Sequence, residues 1–159
     1  MGKPVVEVQT RAVLPTAGGS AVFLGNNQKC FVIYVESGVG QAISMFMRQT
    51  AKARPLTHDL IAHILIALGA KVERVIINDL KEGTYFARLI LSAENELHER
   101  KIVEIDARPS DCIALAVQQN APVYVSENVW NQVEDMTDVL EKMARSEDLD
   151  EGNSSSEEA

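Results

Sequence analysis

The chain has 159 residues, 46% of them hydrophobic, and a formal net charge of −8. That length supports one domain with a sizeable core, and no apolar run approaches the ~20 residues of a membrane-spanning helix. The opening Met1-Gly2-Lys3-Pro4-Val5-Val6-Glu7 has no signal-peptide core, so the expected compartment is the cytoplasm.

In chain order, Val5–Leu14 alternates loosely between apolar and polar residues and predicts a strand. Ala21–Leu24 and Cys30–Val35, split by Gly25-Asn26-Asn27-Gln28, predict a β-hairpin. Gly38–Lys52 shifts to helical spacing, with Ile43, Met47 and Ala51 on one side. Thr57–Leu68 is a second helix. Its apolar face would hold Leu60, Ile61, Ile64, Leu65 and Leu68, with Asp59 and His63 opposite, and Gly69 ends it. Ala70–Asp79, Thr84–Ser92 and Arg100–Asp106 predict an antiparallel meander. Pro109–Gln119 is a helix apolar almost all round, so it should be deeply buried, and Pro122–Ser126 is a short strand.

Glu127–Arg145 carries Val129, Val133, Met136, Leu140 and Met143 at helical steps, with an interruption at Thr137. This stripe should bury against the body or a second subunit, since exposed it would be an aggregation liability. On that ground a homo-oligomer is expected, a dimer first. The segment 146–159 is acidic, Ser-rich and expected to be disordered and dispensable for folding. Residues 1–128 are thus the domain, 129–145 a helical extension and 146–159 a tail. The whole predicts an α+β fold, with the Thr57–Leu68 and Pro109–Gln119 helices packed on a mostly antiparallel or mixed sheet.

Charge is uneven. Six of the 23 acids lie in the tail, leaving 17 against 15 Lys and Arg in the body. A nearly neutral body is not the basic surface of a tight nonspecific nucleic-acid binder. The acid-free run Ser37–His58, with Arg48, Lys52 and Arg54, is a modest positive patch. Cys30 and Cys112 match neither a zinc spacing nor a redox pair and read as buried free thiols. No Walker loop, dinucleotide glycine fingerprint, HExxH or GxSxG is present.

Two polar runs stand out: Arg54-Pro55-Leu56-Thr57-His58-Asp59-Leu60 and Asp106-Ala107-Arg108-Pro109-Ser110-Asp111. Each opens an apolar helix. Pro presets a helix start, Thr or Ser can cap it, and the first amides offer an anion site. Arg54 and Arg108 suit phosphate, and His58 suits proton transfer because imidazole ionises near neutrality. Asp59, Asp106 and Asp111 could orient Arg or hold a divalent cation such as magnesium. Read structurally, the same residues are helix caps closed by Arg–Asp pairs. Asp59 and His63 at i,i+4 suit a solvated pair.

These two runs, with Leu68-Gly69-Ala70-Lys71-Val72-Glu73-Arg74-Val75 and Gly83-Thr84-Tyr85-Phe86-Ala87-Arg88-Leu89, resemble the bifunctional nuclease family, over roughly residues 5–128. The resemblance implies an α+β domain acting on DNA and RNA. Val39 stands where that pattern has an acid early in the first helix, and Cys112 where it has Ala. Two functions follow as expectations: a nuclease with His58, Asp59, Asp106 and Asp111 as catalytic candidates and Arg54 and Arg108 on phosphate, or a non-catalytic module that recognises an anionic ligand or protein partner. Nucleic acid is the partner of the first.

Overall fold

Alternating β-branched and polar residues set the strands, and the turns between them are short. In the computed structural model, which describes residues 4–154, the strands are β1 (Val5–Thr16), β2 (Gly19–Gly25), β3 (Cys30–Val35), β4 (Ala70–Lys81), β5 (Thr84–Glu94), β6 (Arg100–Ala107) and β7 (Val123–Ser126). They form one seven-stranded sheet in the order β3-β2-β1-β7-β4-β5-β6. Every pairing is antiparallel except β4 with β7, so the sheet is mixed and the fold is α+β. β1 pairs with β7 through Val5–Val8 and with β2 from Gln9 onward, where a register shift falls between Thr10 and Ala12.

The helices are α1 (Ser37–Arg48), α2 (Thr57–Ala67), α3 (Pro109–Gln119), α4 (Glu127–Gln132) and α5 (Thr137–Ser154). α3 is the centre of the helical layer. Cys112, Ile113, Ala114, Leu115 and Ala116 are all buried, and α3 packs on α1, β4 and β5. Gly40 brings α1 close to β2, because a Cβ there would collide with the Ser20 side chain. α1 stops at Gln49, which takes a left-handed φ of 54° and turns its amide back to Met45 O, so the helix is shorter than the expected run to Lys52.

α2 is turned relative to its expected face. Leu60 (55% exposed), Ile64 (49%) and Leu68 (72%) face solvent. His58 and Ala62 are buried instead, with Ile61 and Leu65 half-buried. Both stripes have helical spacing, so period alone does not choose between them. α3 occupies the centre of the layer, and α2 is left at its margin.

The C-terminal stripe divides between two cores. Val129 and Val133 join the main core, while Met136 and Leu140 pack on Ala21, Phe23 and Cys30. Met143 is 42% exposed. The break comes before Thr137: Val133 is extended, and Asp135 Oδ1 accepts from Thr137 N at 3.0 Å. α5 then continues to Ser154, so residues 146–154 are helical where a disordered tail is expected; residues 155–159 lie outside the described residues. Residues 146–149 are exposed, and that stretch of helix rests on its own backbone bonds. Among the described residues no helix is long and apolar enough to cross a membrane.

Candidate functional site

The two Arg-Pro runs meet. α2 and α3 start on the same side of the sheet, and their first turns wall an open depression of ≈ 700 Å³ with α1, the middle of β5 and the end of β6. Glu36, His58, Arg108 and Asp111 line it. The rest of the wall is largely apolar, with Val39, Ala42, Leu56, Ile61, Leu89 and Leu115.

The polar groups form one chain. His58 Nε2 lies 3.0 Å from Asp111 Oδ1. Arg108 Nε donates to Asp111 Oδ2 at 2.9 Å, and Arg108 Nη1 donates to Glu36 Oε1 at 3.2 Å. His58 is only 6% exposed. The Phe46 ring meets it edge-on at 6.4 Å between centroids, which fixes the imidazole from the α1 side. Burial would raise the Asp111 carboxyl, but hydrogen bonds from Arg108 and His58 outweigh it and hold the group below its ordinary value. Glu36 has no place among the sequence candidates. Its signal is positional: like Asp106 it sits where a strand gives way to a helix.

The other candidates lie elsewhere. Asp59 turns toward the α2–α3 seam, where it accepts from Leu56 N (2.8 Å), Gln118 Nε2 (3.0 Å) and Lys52 Nζ (3.3 Å). Burial pushes its carboxyl up, and these donors bring it below the usual range. Asp59 is therefore a lock between helices, and its neighbour His58, about 100° round the helix, faces the depression instead. His63 is exposed and does not join it. Asp106 is exposed on β6 opposite Arg88. Strand alternation explains the placement: Ala107 lines the depression, so Asp106 points to the other face. Arg54 is exposed on the loop before α2 and does not line the depression.

Local chemistry differs from the expected caps as well. The α2 cap position is Leu56 and the α3 cap position is Arg108, and neither caps through its side chain. Thr57 and Ser110 lie inside their helices, Asp59 satisfies the Leu56 amide, and Pro109 opens α3 as expected.

The donor set does not fit a carboxylate-held cation. Both Asp111 oxygens are engaged, and Asp59 and Asp106 point away. Among the described residues no three His, Cys, Asp or Glu side chains gather as a metal cage. What the arrangement offers is an imidazole oriented by a carboxylate, beside a guanidinium.

Comparison with known proteins places this geometry in a family. The chain is 36% identical over 107 residues to the uncharacterized protein Rv1829 of Mycobacterium tuberculosis (strain ATCC 25618 / H37Rv), across 67% of this chain and 60% of that protein. The uncharacterized protein MT1877 of Mycobacterium tuberculosis (strain CDC 1551 / Oshkosh) matches with the same identity and coverage. The chain thus spans about 60% of the length of these curated relatives. Residues 22–138, which hold the whole depression and both polar runs, match the bifunctional nuclease domain, and the chain belongs to that family.

Proposed function

We propose that this chain hydrolyses phosphodiester bonds of DNA and RNA at the depression between α2 and α3. The observation that supports this reading is the His58–Asp111–Arg108 chain, which joins the first turns of two helices through residues 53 positions apart. With Nε2–H donated to Asp111, His58 Nδ1 carries the lone pair. That nitrogen takes a proton from water as the water oxygen attacks phosphorus; the P–O bond to the leaving oxygen breaks, that oxygen leaves as a hydroxyl with a proton from solvent, and the imidazolium then returns its proton to solvent. Arg108 keeps Nη2 for a non-bridging phosphate oxygen. Arg48 and Arg54 add positive field along the segment leading into α2. Asp111 positions the base, as a carboxylate does for imidazole in other acid–base pairs.

One observation favours a second reading, a non-catalytic module for an anionic ligand or a protein partner. The walls of the depression are largely apolar, and Arg108 is already paired with Glu36 and Asp111. Val39, standing where the family pattern has an acid, is one of the apolar residues in that wall. A ligand with an apolar body and a single anionic group would suit such a surface.

The test uses labelled single-stranded DNA and RNA, with and without magnesium. The nuclease reading expects cleavage by the wild type, and loss of cleavage in His58→Ala and Asp111→Asn at unchanged fold. Binding without cleavage by the wild type selects the second reading. Cleavage that survives both substitutions removes His58 and Asp111 from the chemistry.

A further inference from the structure

The C-terminal stripe, which suggested a second subunit, is largely covered by its own chain. The sheet edges point to where a partner copy would sit instead. At β3, Met136 N donates to Cys30 O (2.6 Å) and Cys30 N to Asp135 Oδ1 (3.1 Å), so the link between α4 and α5 covers the start of that edge. β6 ends the sheet on the other side. Among the described residues no strand lies beyond it, and no backbone bond outside the sheet engages it. Open edges of this length are templates for pairing.

Exposed apolar groups concentrate at that margin. β6 presents Ile102 (54% exposed) and Ile105 (40%), and α2 with its C-cap presents Leu60 (55%), Ile64 (49%) and Leu68 (72%). The two elements wall the same depression, through Ile61 of α2 and Ala107 of β6.

We propose that β6 pairs antiparallel with β6 of a second copy of this chain, across a two-fold axis at Val103. The charge pattern selects this partner. β6 begins with Arg100 and Lys101 and ends with Glu104 and Asp106. Charges on an edge usually discourage pairing, but antiparallel self-pairing sets the basic end against the acidic end. A two-fold normal to the sheet pairs residues of the same face, so the axis falls on a residue. At Val103, Arg100 opposes Asp106 twice and the strand is paired over residues 100–106. An axis at Glu104 would oppose like charges. An axis at Ile102 would pair only residues 100–104. Arg100, now bonded to Glu73 at 3.1 Å, would gain a second acid. The same axis brings α2 of each copy toward the other, which would remove Leu60, Ile64 and Leu68 from water. The interface is isologous and closes after two copies.

The full chain carrying Val103→Cys tests the register, because Cys30 and Cys112 are 1% and 0% exposed and do not compete. Mild oxidation should give a disulfide-linked dimer with Val103→Cys and not with Glu104→Cys. By sedimentation, Arg100→Asp should raise the dimer dissociation constant about tenfold, from two like-charge pairs, and Arg100→Asp with Asp106→Arg should restore it. A wild type that stays monomeric at micromolar concentration overturns the proposal. So does a dimer that neither crosslinks at Val103 nor responds to the charge exchange, because its interface then lies elsewhere.

Discussion

Replacing Asp111 with Ala removes the group on which the candidate site converges, and its effect follows from the contacts. Two hydrogen bonds disappear. The bond to Arg108 ends on a side chain 57% exposed, where solvent screens most of its worth. The bond to His58 ends on a side chain 8% exposed, so the imidazole loses a partner that water replaces poorly. A hydrogen bond to a charged group is worth about 1.5–3 kcal/mol, and the lost favourable carboxylate in the first turn of α3 adds about 0.3–1 kcal/mol. A total of about 2–4 kcal/mol lowers the melting temperature of a domain of this size by about 4–16 °C.

The pH dependence has a definite sign. The folded Asp111 carboxyl lies below its ordinary value, because the bonds from Arg108 and His58 outweigh burial. Its contribution is complete above the unfolded value, near ~3.9, and is lost as acid protonates the folded group. Melting curves of wild type and Asp111→Ala should therefore differ at neutral pH and converge on strong acidification. A difference under 1 °C at neutral pH, or a gap that persists unchanged through about pH 2, would refute the reasoning.

Other outcomes follow from the packing. Ile113→Ala, at a site with no exposure, should cost about 2–5 kcal/mol in a denaturant titration. Gly40→Ala should destabilise by about 1–3 kcal/mol, because the new methyl meets Ser20; an unchanged midpoint would show that α1 sits farther from β2. Burial pushes the Cys112 thiol up to about 12 and raises that of Cys30, so a thiol reagent at neutral pH should label neither until the chain is denatured. Deleting residues 146–159 should move the melting temperature by less than about 2 °C, as residues 146–149 bury nothing on the body.

Much of this fold is legible locally. Strand alternation, the glycine after α2 and the proline at the start of α3 place most elements within a few residues, and α3 matches at both ends. Its burial is legible too, because a helix apolar on every side has only an interior to occupy. α2 shows the limit. Its apolar residues cover so much of its circumference that composition cannot tell which stripe faces inward, and the neighbouring α3 decides it. The site divides in the same way. The residue types are legible in two short runs, each at the start of a helix. That His58 meets Asp111 while Asp59 meets Gln118, and that Ala107 displaces Asp106 from the depression, depends on rotation about a helix and parity along a strand. Local sequence states which groups are available. Only the packing of α2 on α3, and of both on the sheet, determines which of them share one volume, because adjacent side chains diverge by about 100° on a helix and by half a turn on a strand.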